Sequence, residues 1–289
     1  MQMKVRIMEA EELNPEQKSQ VRELWRLCRE KEPVTQEPFT DGEENAVAGL
    51  PCFYLCYRGE TLVSFLSLFI PDGGYAEGCG CTAPQERGKG YFSALLERAM
   101  ARLKEADIPL YLVSDRKSAD ACAFIRKRGL TAAWEEWMMG AHAGALRLLL
   151  VCHDAGEYCL EQAQEERDTD EEDQGAEKEK EQNEDVLNES VLNEGKGDGG
   201  WALLEKKQGR RLGFCRLSVF QEGVYLYDFA IEEGERRKGY GRLFLKLLGE
   251  TLDAEKTVLL QVGTYNEPAC RLYEECGFLV RERLVYYPL

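Results

Sequence analysis

The chain has 289 residues, 44% hydrophobic and 31% charged, which is enough to build two globular domains with their own cores and excludes a fibrous protein. Its formal charge of -16 is concentrated: residues 161 to 198 hold 16 Asp or Glu against 4 Lys or Arg, and the remainder, close to -4, offers no broad basic face for nucleic acid. Eleven cysteines without a C-x-x-C pair, only two histidines (His142, His153) and polar first residues point to free thiols in a reducing cytosol, with no metal site and no secretory signal.

The first half opens with a strand at Lys4 to Met8. Asn14 and Pro15 then set the N-cap and first turn of a helix whose inner face carries Val21, Leu24, Trp25 and Cys28. Strands follow at Phe53 to Tyr57 and Leu62 to Ile70, joined by the Arg58-Gly59-Glu60 turn, and a third ends near Thr82. After the Pro84 to Gly90 turn comes a helix with Leu95, Leu96, Ala99 and Leu103 inside. Next are a strand at Leu110 to Val113, a helix at Ala119 to Arg128 stopped by Gly129, and a strand at Thr131 to Met139.

Residues 144 to 152 read as the opening strand of a second, matching unit. The apolar run from Leu146 to Cys152 is far short of the roughly 20 residues a membrane helix needs, so no membrane span is expected. The acidic tract at 161 to 198 interrupts this unit. It contains the repeat Val186-Leu187-Asn188-Glu189 and Val191-Leu192-Asn193-Glu194, and its low hydrophobicity and like charge mark it as disordered. Strands then run over Trp201 to Glu205, Arg211 to Phe220 and Val224 to Ile231. A helix at Arg242 to Thr251, a strand at Val258 to Val262, a helix at Pro268 to Glu275 and a strand at Leu279 to Tyr286 complete the chain. The expected domains are 1–140 and 141–289, the second carrying the 161–198 insertion. Arg87-Gly88-Lys89-Gly90 aligns with Arg236 to Gly239, and Gly129 with Gly277, as two copies of one unit would require.

The chemistry is concentrated in the second copy. A strand feeding a short glycine turn into a helix exposes successive backbone N–H groups at the positive end of the helix dipole, which together cradle an anion. Here the turn is Arg236-Arg237-Lys238-Gly239-Tyr240-Gly241-Arg242: Gly239 and Gly241 allow close approach, and Arg236, Arg237, Lys238 and Arg242 add positive charge. There is no G-x-x-x-x-G-K-[ST], and G-x-G-x-x-G fails because position 244 is Phe. Farther on, Asn266 caps a helix begun by Pro268 and stopped by Gly277, with Ala269, Leu272, Tyr273 and Cys276 at helical spacing.

Together these residues resemble the GCN5-related N-acetyltransferase (GNAT) family, whose cofactor turn reads V-x-P-x-x-[RQ]-x-x-G-x-[GA] and whose second motif reads N-x-x-A-x-x-L-Y-x-x-x-G-F. Ile231 and Arg236 to Gly241 match the first, with Glu233 in place of Pro; residues 266 to 278 match every named position of the second. The resemblance implies an α/β (α+β) fold of two tandem GNAT-type domains. Each would be a mixed, largely antiparallel sheet splayed at a parallel strand pair and flanked by helices.

It also implies acetyl-CoA as cosubstrate. The pyrophosphate would lie on the amides of residues 237 to 242, the pantetheine would meet backbone groups near Phe229 and Ile231, and Asn266 would reach the cofactor arm. Tyr273 would act as general acid toward the leaving thiolate. The general base is open: Gln261, where some members carry Glu, takes no proton at neutral pH, and Asp228, Glu232, a water chain or the carboxylate of Leu289 are the alternatives.

In the first copy Phe92 replaces the last small residue of the turn, Ser118 replaces Asn, Phe124 replaces Leu, and Ile125 replaces the tyrosine. That half is expected to supply structure or part of a substrate pocket. The resulting expectation is a cytoplasmic acetyltransferase, monomeric or homodimeric, acting on an amine of a small molecule or peptide, with no nucleic-acid or membrane partner and no metal. The competing expectation is a noncatalytic acetyl-CoA sensor or interaction module.

Overall fold

The computed structural model describes residues 4–32, 38–42, 45–163 and 199–289, and its contacts divide the chain into two compact units. The first comprises Met1–Trp137 together with Glu282–Leu289, the second Met138–Arg281. Each unit thus takes in part of the other copy's final strand, Glu282–Leu289 in the first and Met138–His142 in the second.

In the first unit the strands are β1 (Val5–Ala10), β2 (Phe53–Arg58), β3 (Thr61–Phe69), β4 (Ala76–Thr82), β5 (Leu110–Asp115) and β12 (Leu279–Pro288), in the sheet order β1-β2-β3-β4-β5-β12. Neighbours are antiparallel except β4 and β5, which run parallel over Ala76↔Leu110 to Gly78↔Leu112. The last strand joins through Leu284↔Asp115 to Pro288↔Tyr111.

Helix α1 (Pro15–Arg29) starts with a complete capping box, the Asn14 side chain accepting from Gln17 N and the Gln17 side chain accepting from Asn14 N. Its buried stripe is Val21, Leu24, Trp25 and Cys28. Helix α2 (Tyr91–Glu105) buries Leu95, Leu96, Ala99 and Leu103, and α3 (Ala119–Arg128) ends on Gly129 at φ 68°. The core stripes of α1 and α2 are those their spacing predicts, and α3 stops at the glycine expected to end it.

On β4, Glu77 hydrogen-bonds Tyr75 and Tyr286 and faces Glu136; burial first, then the Glu136 charge, pushes its carboxyl up to about 7 from 4.5. Between about pH 4.5 and 7 the folded chain therefore keeps a proton that the unfolded chain has released, and this group's contribution to stability falls as pH rises through that window. Glu77→Gln, a neutral isostere, is expected to be more stable than the parent by about 2 kcal/mol at pH 8 and equal to it near pH 4. Urea denaturation at the two pH values checks this, and equal stabilities at pH 8 would contradict it.

The second unit holds β6 (Trp134–His142, from Met138 onward), β7 (Tyr158–Ala163), β8 (Gly199–Glu205), β9 (Arg210–Phe220), β10 (Gly223–Ile231) and β11 (Thr257–Gly263), in the order β6-β11-β10-β9-β8-β7. β7 to β10 are antiparallel neighbours, and β10 and β11 are parallel over Gly223↔Thr257 to Leu226↔Leu260. Helices α5 (Tyr240–Thr251) and α6 (Glu267–Glu275) follow β10 and β11.

Residues 144 to 152 are not a strand. Ala143–Arg147 forms a short helix, α4, and the opening strand of this unit is β7. The apolar residues that suggested a strand are largely outside, Leu148 being 81% and Leu150 88% exposed, while Leu146 alone is fully buried. The turn is stabilised instead by Arg147, whose guanidinium donates to Gly249 O at 2.7 Å and to Leu252 O and so satisfies carbonyls at the end of α5. The tract expected to be disordered, 161 to 198, begins in order, because residues 161 to 163 close β7; its remainder, residues 164 to 198, lies outside the described residues. Among the described residues no helix is long and apolar enough to cross a membrane.

Candidate active site

The parallel pairing of β10 with β11 ends at Leu226↔Leu260. Beyond that point β10 bulges: its register with β9 shifts between Tyr227↔Arg216 and Ala230↔Phe214, leaving Asp228 and Phe229 outside both ladders, with Asp228 at φ 50°. A β-bulge adds residues to one strand and bends it, and a non-glycine residue in the left-handed region carries strain that clusters at functional sites. The two parallel strands therefore part, and a cavity of about 950 Å³ opens along Leu226 to Ile231 and Gln261 to Gly263.

The basic turn closes one side of this cavity. Arg237 is at φ 65° and Gly239 at φ 90°, and the first-turn amides of α5 have no intrahelical acceptor. The first helical hydrogen bond is Leu243 N to Gly239 O at 3.1 Å. A Cβ on Gly241 would lie 2.9 Å from Leu272 Cδ2 and 3.9 Å from Ile231 Cγ1, so a side chain here would displace Leu272 where strand, turn and α6 meet.

The four cations differ in what holds them. Arg236 reaches back to the strand, its Nε donating to Ile231 O at 3.0 Å. Lys238 pairs with Glu235 at 3.1 Å and Arg242 with Glu275 at 2.8 Å, whereas Arg237 makes no ion pair among the described residues. Glu235, hydrogen-bonded by Lys238 and also paired with Arg210, is held below the usual carboxylate range.

Helix α6 supplies the opposite wall. Asn266 caps it, its Oδ1 accepting from Ala269 N at 3.3 Å, which leaves the amide nitrogen for the cavity that Asn266 lines. Tyr273 is 6% exposed and packs its ring on Phe229 at 6.2 Å and Phe278 at 5.5 Å. It lines the cavity, and no hydrogen bond to its hydroxyl is present among the described residues. Burial pushes its phenol well above the usual value, so the group holds its proton at neutral pH.

The candidate bases are less well placed. Asp228 lines the cavity, but its carboxylate is largely exposed and lies 3.7 Å from Arg216 Nε. Glu232 is paired with Arg211 at 2.9 Å. Leu289 belongs to the first unit, where its amide donates to Leu110 O. Among the described residues no group of three or more side chains could hold a metal ion.

The model of the acetyltransferase (GNAT) family matches residues 18–130 and again residues 160–278. This chain is a tandem GNAT protein. Among solved structures, a GCN5-related N-acetyltransferase from Sphaerobacter thermophilus superposes with a TM-score of 0.69 at 13% identity, covering 99% of this chain and 95% of that one. A tandem GNAT protein from the clavulanic acid biosynthesis pathway gives 0.66 at 14% identity, covering 99% and 98%. At these identities the likeness is one of fold. No curated protein matches by sequence.

The first GNAT copy repeats the design in altered form. Its parallel strands also part after three residue pairs, at Gly78↔Leu112, and border a smaller cavity of about 560 Å³. Arg87 reaches back to Thr82 O at 3.1 Å, the counterpart of Arg236 and Ile231. Its guanidinium is taken by Glu32 at 3.2 Å and by Asp120. Phe92, in the place of Gly241, packs edge-on against Phe124, in the place of Leu272, with ring centroids 5.3 Å apart. The Gly241–Leu272 approach of the second copy has become an aromatic contact in the first, and Ile125 brings no hydroxyl.

Sequence reasoning missed one feature of the second GNAT copy. Cys152, read as the end of a strand, and the next residue, His153, lie against the basic turn, with His153 Nε2 2.7 Å from Lys238 O. No local pattern marks them, since they come from a loop more than 80 residues earlier in the chain.

Proposed function

We propose that this GNAT protein transfers an acetyl group from acetyl-CoA to an amine, with the chemistry in the second copy. The observation that carries this reading is that one cavity is lined at once by the basic glycine turn, the strand bulge and Tyr273. Acetyl-CoA, when bound, supplies the activated thioester. The residues fit it: Gly241 leaves room beside Leu272 and Ile231 where a Cβ would intrude, and the amides of residues 237 to 242 at the start of α5 suit a diphosphate.

Arg236, with its terminal guanidinium nitrogens still available, together with Arg237, Lys238 and Arg242, adds charge on the same side, and Tyr240 anchors the helix start. Backbone groups of Phe229 and Ile231, past the last parallel pair, would hold the pantetheine arm and polarise the carbonyl. Asn266 would donate from its free amide nitrogen. Asp228, on the bulge, would accept a proton from the attacking amine, and Tyr273 Oη would deliver one to the departing sulfur.

A calorimetric titration of the full chain with acetyl-CoA tests the reading without knowledge of the acceptor. One site per chain is expected. Two sites would restore the first copy as a binding domain, and none would end the acetyltransferase reading.

A further inference from the structure

We infer that His153 is a positioning residue for acetyl-CoA: its imidazole N–H, bonded to the carbonyl of Lys238, holds the basic turn in the orientation that presents the Gly239 amide to the cavity. The inference rests on the acetyl-CoA reading above and adds a residue that no motif contains.

His153 Nε2 lies 2.7 Å from Lys238 O. A carbonyl oxygen only accepts, so the ring carries its proton on Nε2 and donates. The peptide joining Lys238 to Gly239 is planar, so its C=O and N–H point in opposite directions. Fixing the Lys238 carbonyl on the imidazole thus fixes the Gly239 N–H to the opposite side. Gly239 lines the cavity and His153 does not, so any influence of His153 on a bound anion passes through the turn.

The ring is itself held. It stacks on Tyr240 at 4.3 Å and 9°, and Tyr158 meets both rings edge-on at 5.6 and 5.8 Å. Cys152 adds a weak thiol contact to the same carbonyl at 3.8 Å. A Cβ at Gly239 would come within 2.7 Å of Cys152 Sγ and 3.5 Å of His153 Nε2, so the segment lies directly over the turn.

The first copy provides the contrast. Its glycines at the same turn, Gly88 and Gly90, are at φ 75° and 84°, and a Cβ on either would meet nothing within 4 Å. Among the described residues, the turn is braced from behind in the copy whose cavity also keeps the tyrosine and not in the other. Preorganising a loop in its bound form raises affinity by reducing the ordering that binding must impose.

The test uses the full chain in two variants, with acetyl-CoA as the probe. His153→Phe keeps a ring to stack on Tyr240 but removes the donor; His153→Gln keeps a donor of similar reach. Hydrogen exchange of the amides from Gly239 to Leu243 in the free protein is expected to quicken in the phenylalanine variant, with the rest of the chain unchanged. The Kd for acetyl-CoA is expected to rise about tenfold, with most of the loss recovered in the glutamine variant. If an acceptor is found, KM for acetyl-CoA should rise with kcat unchanged.

Unaltered exchange in the turn, or equal weakening by both variants, would overturn the inference. Faster exchange in a protein whose parent fails to bind acetyl-CoA would support the brace and overturn the proposed function instead.

Discussion

Replacing Tyr273 by phenylalanine is expected to leave a folded protein that binds acetyl-CoA within about twofold of the parent but turns over roughly 10²- to 10⁴-fold more slowly, the usual worth of a general acid. The ring packs against Phe229 and Phe278 and its hydroxyl has no hydrogen-bond partner among the described residues, so the substitution leaves the packing intact and orphans nothing. What it removes is a phenol that burial keeps protonated well past neutrality. The sign of that shift also predicts the pH profile: since the phenol's pKa is raised, the acid form persists as pH rises, and turnover should show no alkaline fall from this group up to about pH 9. Release of free thiol from acetyl-CoA, followed with a panel of amines between pH 6 and 9, measures both. Unchanged turnover in the variant would assign Tyr273 to the core.

The second large effect is expected at Gly241. A leucine there begins with a Cβ 2.9 Å from Leu272 Cδ2 and must force α5 and α6 apart or fill the cleft between them. Affinity for acetyl-CoA should fall at least 100-fold, about 2.7 kcal/mol, with the thermal transition lowered by far less than binding is. Calorimetry and a melting curve on the same preparation separate the two. In the first copy Phe92 occupies this position and packs against Phe124, an aromatic pair where the second copy has the Gly241–Leu272 approach. A variant that binds normally would show that the glycine serves packing alone.

Much of this was legible in the sequence because the deciding signals are local. The Asn14 capping box, the glycine stops at Gly129 and Gly277, and the helical spacing of Leu95, Leu96, Ala99 and Leu103 each act within a few residues. The turn from Arg236 to Gly241 and the helix carrying Tyr273 are likewise contiguous segments that name themselves. Three features were not legible. The apolar run from Leu146 to Cys152 resembles a strand, yet the chain coils into α4, where Arg147 meets the open carbonyls of α5, about 100 residues later. The bulge at Asp228 needs the register of a neighbouring strand to be visible. The contact of His153 with Lys238 needs both the bulged sheet and the loop before β7.

The destination of the last strand of each copy was also hidden, since two equivalent strands can be exchanged without any change in pattern. With Glu282–Leu289 completing the first unit and Met138–His142 contributing to the second, the boundary between repeats in the gene is not a boundary between folded bodies. The copy that has lost its tyrosine still contributes backbone to the body that keeps one, and takes backbone from it in return. Removing either half of the chain would therefore take a strand segment away from the unit that remains.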